Sequence, residues 1–165
     1  MLFCIDGEFS NRVVVPVLDK GKFRTFTARD ITHRKENKYL FPAGISSGKW
    51  LFNLNNIKQY RSVIICEGVF DVLHLQKFGL PAVASFGKKL STKQIEKLEH
   101  FSRIIFAYDS DALLETYRYM LRIGSRASAI ILPRGDPTNY SEAEILKMLR
   151  NRAGQIDVAA EILRR

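Results

Sequence analysis

Val63-Ile64-Ile65-Cys66-Glu67-Gly68 is a short β-branched run that ends in a carboxylate. The pattern returns at Ile104-Ile105-Phe106-Ala107-Tyr108-Asp109-Ser110-Asp111, and at Ala129-Ile130-Ile131-Leu132-Pro133, which leads to Asp136. Runs this short and this apolar read as parallel strands buried on both faces. Open α/β sheets place their sites at the carboxyl ends of such strands. Glu67, Asp109, Asp111 and Asp136 are therefore expected to converge on one sheet edge, where four carboxylates repel one another unless a cation sits among them. Mg²⁺ is the natural occupant of an all-oxygen set, with Mn²⁺ as its substitute.

Outward from these runs, strand alternates with helix, the signature of a right-handed parallel α/β layer. Val69 to Phe78 is apolar at helical spacing and Gly79 follows as a cap. Pro81 to Phe86 reads as the second strand, Ser91 or Thr92 caps a helix through Leu98, and Ala112 to Ile123 is a helix closed by Gly124. The strand of Ala127 to Leu132 comes next. Ser141 and Glu144 have capping-box spacing and open a helix to about Arg150, before a last amphipathic helix near Ile156 to Leu163. Upstream, Arg12 to Leu18 and Phe23 to Arg29 form a hairpin through Asp19-Lys20-Gly21-Lys22, whose glycine takes positive φ. Asp30 to Trp50 is polar, basic and broken by Pro42, Gly44 and Gly48, an irregular segment over the sheet. The expected division is a partial basic lobe at 1–60, the α/β layer at 61–140 and C-terminal helices at 141–165.

A chain of 165 residues with 46% hydrophobic content supports one good core and a small lobe beside it. The formal charge of +9 implies a polyanionic partner, nucleic acid first. Much of that charge lies in the first 60 residues, at Arg12, Lys20, Lys22, Arg24, Arg29, His33, Arg34, Lys35, Lys38, Lys49 and Lys58. No apolar run is long enough to span a bilayer and the start is unlike a signal peptide, so no membrane contact and a cytoplasmic location are expected. Cys4 and Cys66 sit in apolar segments and read as reduced, buried thiols without the C-x-x-C spacing of a zinc ribbon. His33, His74 and His100 are scattered and receive no role.

Asp109-x-Asp111 at a strand end can hold one ion from both carboxylates, or Asp109 can cap the next helix while Asp111 meets its dipole. Its pairing with Cys66-Glu67-Gly68 favours the ion. On these residues the chain resembles the Toprim family, shared by DnaG-type primases, type IA and type II topoisomerases and some nucleases. Ile64-Ile65-Cys66-Glu67-Gly68-Val69-Phe70-Asp71-Val72 is similar to the primase motif "vEGyfDv", and Ala82-Val83-Ala84-Ser85-Phe86-Gly87 to "vAslGt". Ile105 to Asp111 is similar to "fDgD", and Leu132 to Pro137 to "LPxGxDPD". Upstream, Asn11 to Val17, Phe26 to Arg29, Lys38 to Leu40 and Lys49 to Leu54 resemble primase segments that precede the Toprim core. Two positions depart from the pattern: Leu113 stands where primases carry glycine after the second aspartate, and Thr138 replaces the last acid of "DPD".

The resemblance implies a Rossmann-like parallel sheet flanked by helices, preceded by a small basic β-hairpin lobe. It also implies Mg²⁺-dependent synthesis of short RNA primers on single-stranded DNA from nucleoside triphosphates. Metal would be held by Asp109, Asp111 and Asp136, Glu67 would act as ligand or general base, and Asp71 would reach metal through water or serve as a first-turn acid. Arg12, Arg29, Lys38 and Lys49 resemble the residues that hold template and incoming triphosphate, and Lys88 is placed to contact phosphate or to sit solvated in its loop. Trp50, Tyr39 and Phe52 either stack on a base or pin their loop to the core. A Toprim nuclease and a non-catalytic nucleic-acid-binding module that needs a partner are the alternatives. A replicative helicase or a zinc-ribbon protein is the partner expected to hold the template.

Overall fold

The computed structural model describes residues 2–32 and 37–165. The basic residues His33, Arg34 and Lys35 lie outside the described residues. The first sheet is antiparallel, in the order β1 (Leu2–Cys4), β2 (Arg12–Asp19), β3 (Lys22–Asp30), β4 (Tyr39–Leu40). The expected hairpin is its centre, with Asp19 paired to Lys22 across the turn. Lys20 as well as Gly21 takes positive φ there, at 52° and 74°, the geometry that matches the right-handed twist of the flanking strands. Pro16 is tolerated because β1 pairs only with Arg12 to Val14, so β2 is an edge strand at the proline.

The second sheet is parallel, in the order β6-β5-β7-β8, built from β5 (Ser62–Cys66), β6 (Ala82–Ala84), β7 (Arg103–Phe106) and β8 (Ala127–Ala129). Its helices are α1 (Leu54–Ile57), α2 (Val69–Gln76), α3 (Thr92–Lys97), α4 (Leu113–Ile123), α5 (Glu142–Arg150) and α6 (Gln155–Arg164). Because strand side chains alternate, Val63, Ile65, Ile104 and Phe106 enter one core with Leu98, Met120 and Val158, while Ile64, Cys66 and Ile105 enter the other with Val72, Leu75 and Ile145. Each such fully buried side chain contributes roughly 1.5–3 kcal/mol. Val15 of β2 joins the second core and so seats the antiparallel sheet against the parallel layer. A backbone pairing of Phe52 with Ala84 continues the contact. No helix among the described residues is long and apolar enough to cross a membrane.

Helix signals in the sequence correspond to local geometry. Ser91 accepts from the Gln94 N–H, Ser141 from the Glu144 N–H, and Gly79 takes φ 70° just past α2. Two expectations are corrected and one, the hairpin, is extended. The second parallel strand ends at Ala84 rather than Phe86, because Phe86 turns into the left-handed region at φ 63°. The hairpin is part of a four-stranded sheet, since β1 and β4 pair along its two edges. Cys4 is half-buried on edge strand β1, whereas Cys66 is fully buried and its thiol is pushed up by burial.

Candidate metal centre and nucleotide cavity

Glu67 follows β5, Asp109 and Asp111 follow β7, and the order of strands puts these ends side by side. One carboxylate oxygen from each of Glu67, Asp109 and Asp111 lies within 4.8 Å of the others. The Asp109 N–H donates to Glu67 Oε1 at 3.3 Å. Helix α4 starts after Ala112 without a side-chain cap, so Asp109 is left free of the capping role. Its Oδ1 is buried and has no hydrogen-bond partner. Burial first, then the charge of Asp109, lifts the Glu67 carboxyl to about 7, and burial with the charges of Asp136 and Asp111 lifts Asp109 to about 6. A buried, unpartnered oxygen within a repelling set of hard donors fits a divalent cation bound by oxygen, Mg²⁺ or Mn²⁺.

A cavity of about 230 Å³ opens from Glu67 and Asp109 toward the antiparallel sheet. It has room for several waters. Asp71 and Asp136 line it but stand outside the closest set of three. Asp71 lies on the first turn of α2, 6% exposed, and accepts from the Gly68 N–H at 2.9 Å. Burial lifts its carboxyl to about 7. Gly68 leaves room for both side chains, because a Cβ would meet Asp71 Oδ2 at 2.8 Å and the Tyr39 hydroxyl at 3.3 Å, and one of them would have to shift. Asp136 accepts from both the N–H and the hydroxyl of Thr138, so the residue that replaces the missing acid fixes the remaining one.

Cations line the opposite wall. Arg29 of β3 stacks over Phe70 at 4.3 Å and donates to the Tyr39 hydroxyl at 2.9 Å, and exposed Lys38 adds a second charge. Tyr39 belongs to the cavity lining and burial lifts its phenol to about 12. Lys88 stands at the rim, 3.4 Å from Asp111. Lys49 is exposed in a short 3₁₀ turn and does not line this cavity. Arg12 is corrected outright: it is 2% exposed and donates to the carbonyls of Ala28, Asn37 and Lys38 at 3.3, 2.8 and 3.2 Å. Its guanidinium holds the segment of Asn37 and Lys38 that leads into β4 and has no open path to a ligand. Phe52 takes the anchoring role, since it pairs with Ala84 and packs on the core, whereas the Trp50 ring lies under Arg24 and Lys97 at 5.8 and 5.6 Å while its backbone carbonyl accepts from Gln94. Leu113, found where the family carries glycine, also packs against the core.

Several cavity residues escaped the sequence reading. Thr27, Phe41, Phe86 and Gly87 line it, and Phe41 meets Phe86 edge-on at 5.1 Å. Tyr140 holds the loop of Asp136 from behind, its hydroxyl donating to the Arg134 carbonyl at 2.7 Å and accepting the Arg134 N–H at 3.0 Å. Arg165 donates to the Ser110 carbonyl at 2.7 Å, between the two aspartates. Thr27 and the Phe86-Gly87 pair fell within segments that resemble the family, and Phe86 and Gly87 both take positive φ just after β6.

Residues 64–113 match the Toprim-like family model. The DNA primase of Aquifex aeolicus is 30% identical over 167 residues, an overlap covering 90% of this chain and 34% of that protein. The DNA primase of Synechocystis sp. is 30% identical over 160 residues, covering 90% and 24%. The chain thus spans about a quarter to a third of the length of these relatives. Among solved structures, a DnaG catalytic core superposes with a TM-score of 0.77 at 22% identity, covering 94% of this chain and 57% of that one, a likeness of fold. The zinc-binding and RNA polymerase domains of the Aquifex aeolicus primase superpose at 0.73 with 27% identity, covering 88% and 41%. Parallel sheet, acidic strand ends and sequence all agree: the chain carries a Toprim-like segment and is similar to DNA primases over about 90% of its own length.

Proposed function

We propose that this chain is the nucleotidyl-transferring part of a DnaG-type primase, joining ribonucleotides into short primers on single-stranded DNA with Mg²⁺ or Mn²⁺. One observation carries the reading: the Glu67, Asp109 and Asp111 cluster shares a cavity edge with a cationic wall of Arg29 and Lys38. Asp109 and Asp111 would hold the ion, with Glu67 as ligand or base and Asp71 and Asp136 acting on it through water. A bound divalent ion supplies charge neutralisation at the reacting phosphoryl group and the leaving pyrophosphate. Arg29 and Lys38 would orient the triphosphate, and Glu67, whose carboxyl sits near neutrality, would accept the proton of the attacking 3′-hydroxyl. The cationic wall favours synthesis over a Toprim nuclease, because hydrolysis with water needs no grip on a triphosphate.

Within this reading, residues 1–60 form the partial basic lobe, 61–140 the Toprim domain and 141–165 the closing helices. Template residence is supplied by a helicase or a zinc-ribbon protein, since initiation must order template and two nucleotides before any bond forms. The test incubates the chain with labelled nucleotides, single-stranded template and Mg²⁺ or Mn²⁺, with and without a preformed primer. Extension is expected, strongest on the primer, and Glu67→Gln abolishes it while changing DNA affinity less than about twofold, because no phosphate contact is removed. Template degradation without extension, or full synthesis by Glu67→Gln, would refute the assignment.

A further inference from the structure

The three strands that end in acids begin in arginines. Arg61 precedes β5, Arg103 opens β7 and Arg126 precedes β8. The pairings Ser62 with Arg103 and Ile104 with Ala127 set these starts side by side on the amino edge of the sheet. Strands about 4.8 Å apart bring the three Cα atoms within roughly 10 Å. Arg61 and Arg103 are exposed, as are Lys58 and His100 beside them. Backbone bonds from Ser102 and Arg103 to the Arg61 carbonyl, at 2.8 and 3.3 Å, lock the two loops together. Arg126 is anchored by donating to the carbonyls of Glu99 and Phe101 at 3.0 and 2.8 Å. Tyr60, 44% exposed, sits next to Arg61.

These cations do not neutralise the acidic edge. From Arg103 to Asp109 is about 20 Å at roughly 3.3 Å per residue, some twice the screening length of about 8–10 Å. Nor are they paired locally: no ion pair among the described residues involves Arg61, Arg103 or Arg126. Acids near this side include Glu96 in the last turn of α3 and Glu99 just after it, while Asp19 is held by Lys97 at 3.0 Å. We propose that the amino edge is a second contact surface for the backbone of single-stranded nucleic acid, with phosphates on the three arginines and a base against Tyr60. An exposed ring among arginines suits a strand that offers bases as well as phosphates, whereas an acidic peptide offers charge alone. The proposal rests on the reading of the chain as a nucleic-acid enzyme.

The experiment measures binding of a labelled oligothymidine long enough to reach both edges, by anisotropy against salt, for the full chain, Arg61→Ala/Arg103→Ala, Arg61→Lys/Arg103→Lys and Lys38→Ala. The double alanine variant should lower the slope of log affinity against log salt by about 1.4. The wild type then loses about sevenfold more affinity than this variant between roughly 50 and 200 mM salt. Lysines should restore the slope, the melting temperature and its Mg²⁺ shift should stay as in wild type, and Lys38→Ala should lower the slope by about 0.7 on its own. An unchanged slope in the double variant, with Lys38→Ala still effective, overturns the second surface and leaves the proposed function standing. A wild type that does not bind overturns both. Polyglutamate competing as well as DNA at equal charge would assign the edge to acidic proteins and overturn the proposal as well.

Discussion

Replacing Asp71 by asparagine tests the electrostatics of the cavity without touching the closest acid set. Asp71 is 6% exposed, and burial lifts its carboxyl from 3.8 to about 7 even though the Gly68 N–H pulls the other way. A raised folded value means that the folded state holds its proton more tightly than the unfolded chain. Stability from this group is therefore fully present below about pH 4 and is lost as pH rises through 7. At about 1.4 kcal/mol for each tenfold change in proton affinity, the ionised carboxyl costs the metal-free fold about 4 kcal/mol above pH 7. The asparagine side chain would keep an oxygen to accept the Gly68 N–H, 2.9 Å away in the wild type, and would carry no charge. The gain from Asp71→Asn should be near zero at pH 4 and grow to about 4 kcal/mol at pH 8, or roughly 8–16 °C in melting temperature for a chain of this size. Circular-dichroism melts in chelator across this range provide the measurement. A gain of equal size at pH 4 and pH 8, or a variant less stable than wild type at pH 8, would refute the assignment of a buried, costly charge.

Two further outcomes follow from the same geometry. Saturating Mg²⁺, at about a hundred times its dissociation constant, should stabilise the wild type by about 2.7 kcal/mol by mass action; Asp109→Asn should lose most of that shift, and equal shifts in the two proteins would count against the cluster as a metal centre. Arg12→Met strips donors from the carbonyls of Ala28, Asn37 and Lys38 and should cost about 2–4 kcal/mol. The folded fraction of Arg12→Met should bind single-stranded DNA with the wild-type salt slope. A reduced slope at full stability would return Arg12 to the nucleic-acid surface.

Local chemistry made much of the fold legible. The apolar runs at Val63, Ile104 and Ala127, the caps at Ser91 and Ser141 and the Lys20-Gly21 turn act over a few residues, so their pattern can be read along the chain. The acids at the strand ends were legible for the same reason, because a parallel sheet aligns the ends of strands that share one periodicity. Short edge strands left no such trace: β1 and β4 have three and two residues, too few for a period, and exist because β2 and β3 offer unpaired edges. Charge alone could not tell Arg12 from Arg29. Both are arginines of neighbouring strands, yet the segment at Asn37 and Lys38 closes over the first while the second opens into the cavity. Burial of a polar group depends on which distant carbonyls come within reach, and only the packed chain decides that. The same holds for the acids: sequence placed Glu67, Asp71, Asp109, Asp111 and Asp136 on one edge, whereas the packing of β5 against β7 selected Glu67, Asp109 and Asp111 as the set close enough to share an ion.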